Sequence, residues 1–144
     1  MSEHERRVAA VNAVRDHFAG KAFELGKVDC VKVAAWHLRT MGHRVSGLGK
    51  AGSYKTVLGA QRALRRVGHD GLIAALDAMP GLIRIPPEAV LPGDIIAQPG
   101  TGGMDALTIV MGDRLVLGFH EDIDDAGLQP IRLVNGSPGK AWRV

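Results

Sequence analysis

The chain changes period near its middle, and that switch limits what it can fold into. Up to about residue 79, apolar side chains recur every three or four positions, the spacing of amphipathic helices. Ser2 and Glu5 form a capping box ahead of Val8, Val11, Val14 and Phe18, and Gly20 stops that run. Asp29 reads as the N-cap of a second helix, with Cys30, Val33, Ala34, His37, Leu38 and Met41 along one side until Gly42 ends it. A third helix is predicted from Ser53 through Val57, Leu64 and Val67 to Gly68, and a short fourth from Asp70 to Pro80-Gly81. Pro86-Pro87 and Pro92-Gly93 then punctuate a loop. Beyond it, β-type runs cover 94–98, 107–111, 115–119 and 128–134, with 141–144 expected as a last edge strand. Gly112-Asp113 marks a hairpin between two of them. Helices first and antiparallel strands second predict an α+β fold, N-terminal helices packed on a C-terminal antiparallel sheet.

A chain of 144 residues has room for one core, so 1–144 is taken as a single domain with the helix over 1–19 as an appendage. Hydrophobic residues at 46% and charged residues at 23% exclude wholesale disorder. No apolar run is long enough to span a membrane, and the charged start, MSEHERRVAA, is unlike a signal peptide. One cysteine excludes an intramolecular disulfide and a CxxC pair. These features point to assembly in the cytosol. Residues 1–72 hold thirteen Lys/Arg against six Asp/Glu, whereas 73–144 hold five against nine. Such polarity suits docking in a protein assembly. Nucleic acid is the weaker expectation, because aromatic residues at 4% leave few stacking platforms.

Three motifs dissolve on inspection. Gly47, Gly49 and Gly52 spell G-x-G-x-x-G, but a helix precedes them where a dinucleotide fingerprint needs a strand, so a helix–helix loop is expected. Ala51 stands where a P-loop needs Ser or Thr. Glu121, Asp122, Asp124 and Asp125 fail the EF-hand pattern at Ala126 and Leu133, which leaves a solvated turn. The six histidines lack metal-ligand spacing, so neither a metal nor a cofactor is expected.

Cys30 is the residue with chemical potential. At the first helical position after Asp29, unpaired N–H groups and the helix dipole stabilise a thiolate and lower its pKa. The alternative role for a lone cysteine is that of a small buried hydrophobe.

The order of elements resembles the NlpC-like, papain-fold cysteine peptidases that cut peptidoglycan stem peptides. The matching stretches are Gly26-Lys27-Val28-Asp29-Cys30-Val31, Leu91-Pro92-Gly93-Asp94-Ile95-Ile96 and Leu107-Thr108-Ile109-Val110-Met111-Gly112-Asp113. The resemblance spans roughly 18–144 and is nearest to small phage-encoded members found among tail genes. It implies Cys30 as nucleophile, a first core strand after Pro92-Gly93, and a general-base histidine just before the 107–113 strand. The chain has Ala106 at that place, with Asp105 a weaker, displaced base. The residue orienting the histidine would fall near Leu117–Gly118, and His120, a few positions on, is the tentative substitute base. The resemblance thus implies a structural phage tail protein, at the tail tip or baseplate or in tail assembly, with decayed chemistry. It would be made in the host bacterial cytoplasm, sit in the virion tail and contact other tail proteins. Its sheet edges and C-terminal strand would be the contact surfaces, and Trp142 would need cover from a partner or a core groove. The alternative is an active peptidase or amidase in which Cys30 and His120 cleave peptidoglycan peptides as the genome enters the cell.

Overall fold

The computed structural model describes residues 1–45, 54–100, 104–119, 127–133 and 139–144. Gly47, Gly49, Gly52, the acidic run at 121–125 and His120 lie outside them.

Local capping signals act where the sequence puts them. Ser2 Oγ accepts from the Glu5 N–H at 3.1 Å and starts α1 (Glu3–Phe18). Asp29 caps α2 (Cys30–Thr40), and Thr56 caps α3 (Val57–Arg66) by accepting from the Gly59 N–H. That start is later than predicted, because Thr56 rather than Ser53 supplies the cap. α2 and α3 end alike. The Gly42 and Gly68 N–H groups bond to Arg39 and Arg65, and the His43 and His69 N–H groups reach Leu38 and Leu64. Both glycines adopt the left-handed conformation this motif requires, with φ of 94° and 93°. The short α4 (Leu72–Asp77) has no side-chain cap.

The strands are β1 (Ile83–Ile85), β2 (Ile95–Pro99), β3 (Asp105–Gly112), β4 (Leu115–Phe119), β5 (Leu128–Arg132) and β6 (Lys140–Arg143). They form one antiparallel sheet in the order β1-β6-β2-β3-β4-β5. The fold is therefore α+β, four helices and a six-stranded antiparallel sheet among the described residues. β1 was not foreseen, since three residues before Pro86 give too short a run to show a period. The hairpin turn falls one residue later than expected, on Asp113-Arg114, with Arg114 at φ 54°.

Two expectations are corrected. The 141–144 segment is not an edge strand: β6 lies inside the sheet, with Trp142 opposite Ile95 on one side and Arg84 on the other. Trp142 is fully buried, and its Nε1 donates to Asp77 at 2.8 Å. The core itself covers Trp142, and β6 has no free edge for a partner. Nor is α1 an appendage. Val11, Val14 and Phe18 pack with Val33, Ile109 and Leu117, so α1 shares the core with α2 and the sheet.

One face of the sheet carries Ile95, Ala97, Leu107 and Trp142, which pack against α2, α3 and α4 through Leu38, Leu64 and Leu76. The other carries Ile96, Val110, Val116 and Ala141 beneath Ile85, Val90, Ile131 and Leu133. Asp94, just before β2, ties the ends of the chain to the middle. Its fully buried carboxylate accepts from Arg7 at 2.9 Å, Arg143 at 2.8 Å, the Val144 N–H at 3.0 Å and the Leu91 N–H at 2.8 Å.

Candidate functional site

The turn before α2 is built so that Cys30 opens the helix against β3. Gly26 takes φ 87°, and a Cβ there would run into the Tyr54 carbonyl oxygen, so only glycine fits. The Gly26 N–H donates to Asp29 Oδ2 at 2.7 Å, and the Lys32 N–H donates to Oδ1 at 2.9 Å. Tyr54, the chain's only tyrosine, donates its hydroxyl to the same Oδ2 at 2.7 Å. Asp29 is thus occupied by three donors and is no general base. The phenol beside it is held far above its usual pKa by burial and by the Asp29 charge.

Cys30 lies in a cavity of about 320 Å3, with Phe23, Leu25, Val57, Met104 and Phe119 among its walls. Ala106 and Asp105 line the same cavity, as does Tyr54. Cys30 and Ala106, which the resemblance pairs as nucleophile and base position, thus line one cavity. What the base position offers there is a methyl group.

At Cys30 burial opposes the thiolate-stabilising effect of the helix start. Burial pushes the Cys30 thiol up to about 11, and the neighbouring Asp29 charge adds to the rise. The backbone N–H groups of Leu107, Cys30 and Val31 act in the opposite direction and are outweighed. A helix start stabilises a thiolate by about 1 kcal/mol or less, and desolvating a charge against apolar walls costs more.

No histidine lines the cavity among the described residues. His17 stacks on Trp36 at 4.3 Å, and His37 donates from Nε2 to the Gly93 carbonyl at 2.7 Å in the buried layer between α2 and the Asp94 loop. Leu117 and Gly118, the positions expected to orient a catalytic histidine, bring no polar side chain. His120, the substitute base, falls outside the described residues. Among the described residues no group of three or more His, Cys, Asp or Glu is arranged to hold a metal, and no helix is long and apolar enough to cross a membrane.

Sequence reasoning missed Tyr54, Arg7 and the role of Asp94. Only Asp94 carried a signal, as the polar residue following Pro92-Gly93.

No curated protein and no solved structure matches the chain. One family model does, described as a domain of unknown function (DUF6950), and it covers residues 2–144. With nearly its whole length matched, the chain belongs to the DUF6950 family.

Proposed function

We propose that the protein is a structural component of a phage tail, at the tip or baseplate or in tail assembly, built on an NlpC-like peptidase fold that has lost its chemistry. One observation carries the loss of activity: Cys30, its thiol pushed up to about 11, shares its cavity with Ala106 where the resemblance expects a general base. Without that base no described residue lining the cavity is placed to take the thiol proton or return it to a leaving amine, and losing a triad member costs orders of magnitude in rate. The phage setting rests on the resemblance of the Cys30, Asp94 and 107–113 stretches to small tail-encoded members. In this reading the chain is made in the host cytoplasm and incorporated into the tail among other tail proteins.

A second reading, an active peptidase acting on peptidoglycan peptides, is favoured by the N–H groups of Leu107, Cys30 and Val31 around the sulfur. It takes His120 as base.

Turnover of a peptidoglycan stem peptide by the wild type, Cys30→Ala and His120→Ala separates the two. The structural reading expects no turnover above the Cys30→Ala background. Turnover abolished by both substitutions would overturn it. Mass spectrometry of purified tails tests the location, and absence of the chain from both mature tails and tail intermediates would contradict it.

A further inference from the structure

Two surfaces away from the Cys30 cavity complement one another. From Cys30 through His69 the chain has eight Lys or Arg and no Asp or Glu. α3 gathers three of them, Arg62, Arg65 and Arg66, all exposed and without an ion-pair partner among the described residues. Leu58, 53% exposed, lies on the same side, because positions 58, 62 and 65 fall along one helical stripe. Ala60, Ala63 and Leu64 hold the opposite side in the core. α3 therefore shows solvent an apolar knob flanked by arginines, and arginine is enriched at protein interfaces.

The second surface is a groove of about 670 Å3 on the sheet face opposite α2, α3 and α4, with His4 of α1 in its wall. The half-buried Val90 and Leu133 are its apolar wall above a floor of buried Ile96, Val110 and Val116, and the exposed Glu88 and Asp113 add carboxylates. Arg114, also in its wall, is already engaged within the chain.

We propose that copies of this chain associate head to tail, with α3 of one copy seated in the outer sheet groove of the next. Leu58 meets the apolar lining, and Arg62 and Arg65 face Glu88 and Asp113. The two surfaces lie on opposite sides of the sheet, so the contact is heterologous and each copy keeps one free surface of each kind. Closure gives a ring and failure to close gives a filament. A nucleic-acid backbone would engage the arginines but has no use for Leu58 or for the apolar groove. The proposal is independent of what Cys30 does.

Sedimentation velocity on the full chain tests it with two variants. Leu58→Asp/Arg62→Glu spoils the α3 surface, and Glu88→Lys/Asp113→Lys spoils the groove. At about 100 µM and about 50 mM NaCl the wild type should sediment as species larger than one 15.3 kDa chain, and move toward the single chain at about 500 mM. Each variant alone should be monomeric. An equimolar mixture should form a dimer and stop there, because one good surface of each kind remains. That dimer also shows that both variants are folded. A monomeric wild type at low salt, or a mixture that stays monomeric while the wild type assembles, overturns the proposal. So does an α3 surface that binds duplex DNA or an acidic peptide while the chain does not self-associate.

Discussion

Removing the Asp94 carboxylate should be among the most damaging single changes in the domain, and more damaging than removing its partner Arg7. Asp94 is fully buried and Arg7 nearly so, with the guanidinium 2.9 Å from Oδ1. Arg7 also donates to the Pro92 carbonyl at 3.1 Å and the Val144 carbonyl at 2.8 Å, which fixes its head in place. Its Nε lies 3.2 Å from Glu3 without hydrogen-bond alignment, so Glu3 is a poor substitute counter-charge. Asp94→Ala leaves that guanidinium buried and uncompensated, at a cost of about 3–5 kcal/mol. Arg7→Met removes one charge but leaves Asp94 paired with Arg143 and bonded to two backbone N–H groups, so it should cost less. For a domain of this size Asp94→Ala corresponds to a fall in Tm of about 12–20 °C. Urea and thermal unfolding of both single variants and the double variant would read the effect and the coupling between them. A loss below about 1 kcal/mol for Asp94→Ala, or a larger loss for Arg7→Met, would refute the reasoning.

Three further outcomes follow from the same packing. Burial holds the His37 pKa below its ordinary 6.5 despite the bond to Gly93, so the unfolded chain binds a proton there that the fold resists. Stability from this group is complete above about pH 6.5 and falls as pH drops, by up to about 1.4 kcal/mol per pH unit, and His37→Gln should flatten that part of the urea-midpoint profile. Trp142→Ala should cost about 3–5 kcal/mol in urea unfolding, since it empties the centre of the larger core cluster. Asp29→Asn keeps an acceptor for the Lys32 N–H, gives up the one that Gly26 and Tyr54 share, and removes a charge that raises the Cys30 pKa, so alkylation of Cys30 at pH 8 should quicken.

What the sequence disclosed was local. Ser2, Asp29, Gly42 and Gly68 work through neighbours within a few residues, so the limits of α1, α2 and α3 could be read nearly as they are. The position of Cys30 at a helix start was equally legible. The sign of its pKa shift was not, because that depends on the apolar residues, Met104 and Leu107 among them, that line its cavity from far along the chain. The interior place of β6 was hidden for the same reason. A four-residue run does not show how many neighbours it will have, and β1 was too short to announce itself as one. Nothing in its neighbours along the chain marks Arg7, whose partners Asp94 and Val144 are brought to it only by the fold. Tyr54 follows a glycine-rich stretch that reads as loop, and only the tertiary approach of Gly26 and Asp29 gives it a role.

The central claim is that the Cys30 cavity holds an unactivated thiol, and the pH dependence of iodoacetamide alkylation of the folded chain tests it most directly, because the chain has only one thiol to react. With the thiol pushed up to about 11, reaction at neutral pH should run about three-hundredfold slower than in the unfolded chain, where the pKa is near 8.5. The rate should then climb without a plateau through pH 9. A fast reaction that levels off below pH 8 would mean an activated thiolate and would contradict the account.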